Sequence, residues 1–226
     1  MNNKNKEFIE HSKKAAGEKA AEYVKDGMVV GLGTGSTVKY AIKKIAARIC
    51  DENLNIIGIP TSIATENLAK QEKIPVSPFE AYPQIDLDID GADECDRNFN
   101  LIKGGGGAHT REKIVASASK EFIVVADFTK KVPKLGKFPV PVEVLPFAIE
   151  SVKSELMKLG GKPEPREFIT DNGNFILDTK FEILNPLELE LKIKAILGVV
   201  DNGIFSRRKP EKVIFAKGNE IEILER

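Results

Sequence analysis

A lysine, four consecutive glycines and a glutamate lie within one short segment of this chain, Lys103-Gly104-Gly105-Gly106-Gly107-Ala108-His109-Thr110-Arg111-Glu112-Lys113. Each glycine gives up conformational entropy on folding, so a run of them points to a backbone that approaches something closely or turns through positive φ. The lysine can neutralise an oxyanion or a phosphate, and the glutamate can carry a proton. Glu112 falls in the first turn of an expected helix, where the helix dipole favours a carboxylate. The alternative is a flexible loop with ordinary surface charges. Upstream, Gly31-Leu32-Gly33-Thr34-Gly35-Ser36-Thr37 sets glycine amides and hydroxyls where a strand gives way to a helix, a suitable cradle for a phosphate. It lacks the lysine of a Walker A loop, and Ser36 stands where GxGxxG has its last glycine. The next strand ends Ile59-Pro60-Thr61-Ser62 without the acid a dinucleotide site wants. The competing reading is a tight strand-to-helix turn, and in either case Ser36 or Thr37 is expected to cap the helix.

A third segment, Ile85-Asp86-Leu87-Asp88-Ile89-Asp90-Gly91-Ala92-Asp93-Glu94, alternates acids with apolar residues. It delivers Asp90 and Asp93 to the carboxyl end of a strand, the edge at which open α/β sheets bind ligands. Asp86 and Asp88 are expected on a polar face of the sheet or against a neighbouring loop. Asp90 and Asp93 also read as turn carboxylates around Gly91, or as magnesium ligands, although no regular ligand spacing accompanies them.

The elements that must position these segments alternate. Apolar residues at helical spacing predict a helix over 6–25, closed by Asp26-Gly27. There follow a strand at 28–32, helix 37–49, strand 55–59, helix 62–72, short strand 74–77, strand 85–90, helix 110–119 and strand 121–126. This alternation implies a Rossmann-like α/β architecture, a mostly parallel sheet with helices on both faces. The stretch 130–139 is basic and broken by proline and glycine, as a domain connection would be. Beyond it, strand 140–145, helix 147–159, strands 166–170 and 174–179 about an Asp171-Asn172-Gly173 turn, helix 186–196 and strand 198–205 run βαββαβ. That order is the ferredoxin-like α+β arrangement. Strands at 212–216 and 220–224 are expected to return to the first domain. The expected division is 1–129 with 206–226 as the catalytic domain and 130–205 as the smaller one.

The 34 basic and 34 acidic side chains cancel, which leaves no electrostatic footprint for nucleic acid. The longest apolar stretches are too short to span a bilayer, and Met1-Asn2-Asn3-Lys4 opens no apolar signal core. Two cysteines, Cys50 and Cys95, without CxxC spacing, and two histidines, His11 and His109, offer neither a disulfide framework nor a metal centre. The expectation is a soluble cytoplasmic protein with no metal, no cofactor, no nucleic-acid partner and no membrane partner.

Taken together and in this order, GLGTGST, DGADE and KGGGGAHTREK closely resemble the ribose-5-phosphate isomerase A family. The resemblance continues through Val125-Ala126-Asp127-Phe128-Thr129-Lys130 and through LGKFPVPVEV at 135–144, so it covers nearly the whole chain. It implies an aldose-ketose isomerase that interconverts D-ribose 5-phosphate and D-ribulose 5-phosphate through a cis-enediolate, in the non-oxidative branch of the pentose phosphate pathway. It also implies a homodimer or homotetramer. By resemblance, Glu112 moves the proton, while Lys103, Asp93 and the amides of Gly104, Gly105 and Gly106 stabilise or protonate the developing oxyanion. Asp90 binds sugar hydroxyls and assists ring opening, with Gly91 and Ala92 beside it in the substrate site. Two anchors for the phosphate stay open: Thr34, Gly35, Ser36 and Thr37, or Lys130. His109 stands where related chains often carry leucine and is expected to be a variable loop side chain. A non-catalytic sugar-phosphate sensor is the competing class, but it would need a DNA-binding module, and here the first helix runs straight into the first strand. Other enzymes on a related scaffold, an amino-sugar phosphate deaminase or a coenzyme A transferase, would need a histidine for ring opening or a glutamate nucleophile.

Overall fold

The computed structural model describes residues 3–226; Met1 and Asn2, the start of the segment expected to hold no signal core, lie outside the described residues. In chain order the first elements are α1 (Asn3–Ala21), β1 (Val29–Leu32), α2 (Val38–Glu52), β2 (Ile57–Pro60), α3 (Ile63–Gln71), β3 (Ile85–Gly91), β4 (Glu94–Cys95), β5 (Leu101–Ile102), α4 (His109–Ala118) and β6 (Ser119–Asp127). They are followed by β7 (Val140–Val144), α5 (Ile149–Lys158), β8 (Lys162–Ile169), β9 (Phe175–Lys180), α6 (Pro186–Lys194), β10 (Val199–Asn202), β11 (Ile204–Phe205), β12 (Lys212–Lys217) and β13 (Glu220–Glu225).

Packing divides the chain into two compact units. The first comprises Met1–Gly91, Ile114–Lys131 and Pro210–Arg226. Its six-stranded sheet has the order β13-β12-β6-β3-β1-β2. All neighbours pair in parallel except β13, which closes one edge antiparallel to β12. The two-residue period of a strand sends alternate side chains to opposite faces. Along β1, Val30 and Leu32 join the core beneath α1 and α2 with Ala16, Ala20, Ile42, Ile45, Leu87 and Ile89. Gly31 faces the other way, where a Cβ would stand 2.7 Å from the Val115 side chain of α4. Helices therefore cover both faces of the sheet, as expected. Small residues let α1 approach the loop ahead of α2, since a Cβ at Gly17 would lie 2.7 Å from the Thr37 carbonyl oxygen.

The second unit comprises Ala92–Lys113 and Val132–Lys209. Its larger sheet is antiparallel with the order β10-β7-β9-β8, which is the ferredoxin-like order for strands met as βαββαβ. Val152 and Leu156 of α5 and Ile193 of α6 pack with Val140, Val142, Val144 and Leu177 of that sheet. A separate three-stranded sheet has the order β11-β5-β4.

Several expected elements are revised. Residues 74–77 contribute only a bridge from Val76 to Gly58, because the prolines at 75 and 78 cannot donate to a ladder. The strand expected over 166–170 starts at Lys162 and carries Pro163 and Pro165, which an edge strand tolerates. The strand expected over 198–205 divides at Gly203, with β10 in the four-stranded sheet and β11 in the three-stranded one. A Cβ at Gly203 would stand 2.2 Å from the Lys103 carbonyl oxygen, so the crossing requires glycine. The same three-stranded sheet draws Ala92–Lys113, placed by the sequence with residues 1–129, into the second unit.

One glycine fixes the start of the site. A Cβ at Gly33 would lie 2.2 Å from Asp90 Oδ1, with the carboxylate carbon next to it. Neither group can retreat, since the Gly33 N–H donates to the Ile89 carbonyl at 3.0 Å and Asp90 is buried on the adjacent strand. Gly33→Ala is expected to cost roughly 1–3 kcal/mol through overpacking, read as a lower urea midpoint at an unchanged m-value.

Candidate active site

In the first unit, four segments end at the carboxyl edge of the parallel sheet: the loop after β1, the start of α3 after β2, Asp90 at the end of β3, and Lys130 in the turn after β6. The Thr34 hydroxyl lies 2.8 Å from both the Thr61 and Ser62 hydroxyls and 3.1 Å from that of Thr65. Ser62 also caps α3 by accepting from the Thr65 N–H. Asp90 Oδ1 accepts from the Thr34 N–H at 3.1 Å and from the Gly91 N–H at 2.6 Å, so a buried carboxylate holds the cradle loop to the end of its own strand. Gly35 turns through a φ of +135° with open space around it, and Gly35 and Ser36 are exposed. The expected cap on α2 is absent at Thr37, whose backbone is helical and whose side chain makes no capping bond. Lys130 closes a turn that Asp127 caps by accepting from the Thr129 N–H at 3.0 Å. Strands β6 and β1 flank β3, which sets these two anchors about 10 Å apart at their strand ends.

In the second unit, Lys103 follows β5 and Glu112 lies in the first turn of α4. Lys103 Nζ stands 3.2 Å from Glu112 Oε2, and both side chains are under 5% exposed. The Lys103 ammonium also lies 5.4 Å from the centre of the Phe205 ring. Asp93 is half-buried on the turn into β4. Its Oδ2 accepts from the Gly105 N–H at 2.7 Å, and a Cβ at Gly105 would meet Oδ1 at 2.6 Å. Gly104 and Gly107 have φ of +104° and +79°, a region that L side chains rarely adopt, while Gly105 and Gly106 are exposed. The glycine run is thus an ordered loop presenting backbone to solvent beside a lysine, an aspartate and a glutamate.

Helix α4 is fastened on either side of Glu112. Thr110 donates to Glu143, a buried carboxylate that also accepts from Thr170 and from the side-chain amides of Asn172 and Asn174. Burial opposes its charge, yet these four donors hold the Glu143 carboxyl below the usual range. Arg111 reaches Asn172 Oδ1 at 2.8 Å and the Asp171 carbonyl at 2.9 Å. Lys113 Nζ donates to Glu190, Asp201 and the carbonyls of Asn202 and Ile204, 4.8 Å from the centre of the Phe205 ring.

The expectation that His109 is a loop side chain is corrected: it opens α4, is fully buried, and lies against Gly104, where a Cβ would meet Nδ1 at 2.8 Å. Burial pushes its imidazole down to about 4, so it is neutral near pH 7. The unfolded chain, with an ordinary histidine pKa near 6.5, binds the proton more tightly. Stability from this group is therefore complete above about pH 6.5 and falls as pH drops toward 4, by about 2 kcal/mol between pH 7 and 5. His109→Leu is expected to remove most of that slope in urea unfolding at the two pH values.

The sequence placed Asp93, Lys103, the glycine loop and Glu112 in one site, and the second unit brings them together. Thr34, Asp90 and Gly91 share hydrogen bonds in the first unit. Sequence reasoning passed over Thr61 and Thr65, whose signal was a hydroxyl cluster following a strand. It also passed over the polar residues that fasten α4, which come from distant strands.

A buried lysine-carboxylate pair beside a close-approach glycine loop, in a chain with a mostly parallel α/β sheet, places a proton-carrying group next to a cation and exposed backbone, the elements that acid-base chemistry beside an oxyanion requires. Residues 57–220 match the family described as ribose 5-phosphate isomerase A (phosphoriboisomerase A), and the chain belongs to that family. Ribose-5-phosphate isomerase A 1 of Oceanobacillus iheyensis is 46% identical over 213 residues, covering 92% of this chain and 95% of that protein. The ribose-5-phosphate isomerase A of Methanosarcina acetivorans is 46% identical over 234 residues, covering 100% of this chain and 99% of its own. Among solved structures, ribose 5-phosphate isomerase A from Methanocaldococcus jannaschii superposes with a TM-score of 0.92 at 43% identity, covering 98% of this chain and 100% of that one. A D-ribose-5-phosphate isomerase in complex with phospho-erythronic acid gives a TM-score of 0.93 at 41% identity, covering 96% of this chain and 99% of that one.

Proposed function

We propose that this chain interconverts D-ribose 5-phosphate and D-ribulose 5-phosphate, and that Glu112 carries the proton. The observation that carries the assignment of roles is the buried Lys103–Glu112 pair at the mouth of the glycine loop, in a member of this family. Starting from the aldose, the Glu112 carboxylate takes the proton from C2, the C1–C2 double bond forms, and the carbonyl electron pair moves onto O1 as a cis-enediolate. The positive charge of Lys103, with Asp93 and the Gly104, Gly105 and Gly106 amides, stabilises charge on the sugar oxygens and shuttles the hydroxyl proton. Glu112 then delivers its proton to C1 while O2 becomes the carbonyl. A fixed base of this kind is worth about 10²- to 10⁴-fold in rate.

The phosphate is assigned to the loop of Thr34, Gly35, Ser36 and Thr37, supported by its exposed glycine and by a Thr37 hydroxyl that caps no helix. Lys130 adds charge from the same sheet edge. Asp90, with Gly91 and Ala92 beside it, meets the sugar hydroxyls and assists ring opening, and its two backbone donors keep its carboxylate in place. A relative was solved with phospho-erythronic acid, a phosphorylated sugar acid, which is the ligand chemistry these groups suit. Assembly as a homodimer or homotetramer is supported by the exposed Phe147, Leu184 and Leu197 of the second unit. No helix among the described residues is long and apolar enough to cross a membrane, and a cytoplasmic location is supported by two free cysteines.

The test is conversion of ribose 5-phosphate by purified, EDTA-treated protein, followed as ribulose 5-phosphate. Turnover supports the isomerase. Saturable binding of the sugar phosphate without turnover would replace it with the sensor.

A further inference from the structure

The amides of a glycine loop stabilise an oxyanion only if their N–H bonds point at it, and glycine has the least intrinsic reason to keep any direction. We propose that Arg166 of β8, itself held by Asp178 of β9, is the positioning residue that fixes those directions. The Arg166 guanidinium grips the Asp178 carboxylate with two parallel bonds, Nε to Oδ2 at 2.8 Å and Nη2 to Oδ1 at 2.6 Å. That leaves Nη1 aimed at the loop, where it donates to the Gly104 carbonyl at 3.0 Å and to the Gly105 carbonyl at 3.3 Å.

A trans peptide plane sets its N–H opposite to its C=O. Drawing the Gly104 and Gly105 carbonyls toward one nitrogen therefore turns the Gly105 and Gly106 N–H groups away from it, to a shared side. The Gly105 N–H is found there, bonded to Asp93 Oδ2 at 2.7 Å. Phe168, two residues further along β8, covers Gly107, where a Cβ would lie 2.3 Å from its ring. Two side chains of β8 thus hold the glycine run from Gly104 to Gly107. Lysine could not replace this arginine, since a single ammonium cannot hold a carboxylate in a fork while reaching two carbonyls on the far side. What the amides do for substrate rests on the isomerase reading; that Arg166 orders them does not.

The experiment pairs Arg166→Ala and Arg166→Lys in the full chain, with amide exchange at Gly105 by NMR and steady-state kinetics on ribose 5-phosphate. Gly105 exchange is expected to rise roughly tenfold or more in both variants while amides of β9 keep their protection. The kcat is expected to fall on the order of 10²-fold with little change in KM, and added guanidinium ion should restore part of it to Arg166→Ala alone. Unchanged Gly105 exchange would overturn the proposal, as would a rise in KM alone, which would make Arg166 a direct substrate contact. If Gly105 exchange rises but the unsubstituted protein turns over no ribose 5-phosphate, the loop-ordering role stands and the isomerase reading falls. If Arg166→Ala does not fold, Arg166→Lys carries both readouts.

Discussion

Glu112→Gln is expected to lower kcat by roughly 10⁴-fold, the upper range for loss of a positioned general base, while leaving sugar-phosphate binding within a few-fold of its original value. The amide has the size of the carboxylate and can still accept from Lys103, so the 3.2 Å contact can persist as a hydrogen bond. What disappears is the capacity to hold the C2 proton between two steps. The loss should therefore appear in kcat and kcat/KM equally, the signature of an interaction made only in the transition state. Removing a buried negative charge leaves the Lys103 ammonium less well compensated, so a lower melting temperature is expected with it. A kcat within tenfold of the original would remove Glu112 from the mechanism.

Lys103→Met carries the second largest effect, and it falls on both activity and stability. The methionine fills most of the same space beside Phe205 but leaves Glu112 as a buried carboxylate without its cation. Breaking such a pair from one side typically costs 3–5 kcal/mol, more than the pair itself contributes. Loss of a charge aimed at a developing oxyanion adds about 10²- to 10³-fold in kcat. The double variant Lys103→Met/Glu112→Gln separates the two effects. It should regain much of the stability, because no lone buried charge remains, and none of the activity. Strictly additive stability changes in that cycle would show that the two side chains are not coupled in the folded protein.

The chemistry-bearing segments were legible because each combined residue types that have little other use together. Four glycines between a lysine and a glutamate, and a DGAD turn at a strand end, state their purpose locally. The alternation of strand and helix implied the parallel sheet, and the βαββαβ order with its Asp-Asn-Gly turn implied the ferredoxin-like arrangement of the smaller one. What sequence could not supply were contacts set by tertiary packing. His109 read as a loop residue because nothing local announces that the first turn of α4 is buried. Glu143 read only as a position in the strand expected over 140–145, since its four donors come from α4 and the β8–β9 hairpin. Arg166 was nearly visible: counting outward from the turn, as Ile169 pairs with Phe175, places it opposite Asp178. The irregular pairing between Pro165 and Ile169 breaks that count, and the bond from the arginine to the Gly104 carbonyl is set by tertiary packing. Gly203 gave no sign that one strand would serve two sheets, because the reason is the Lys103 carbonyl packed against it.

The most direct measurement is NMR of ribose 5-phosphate incubated in deuterated water with the EDTA-treated protein and, in parallel, with its Glu112→Gln variant. The predicted result is ribulose 5-phosphate carrying deuterium at C1 from the unsubstituted protein and almost no product from the variant over the same time. Product formed equally fast by the variant would contradict proton transfer through Glu112, whereas product without carbon-bound deuterium would leave a hydride shift or a proton that never meets solvent.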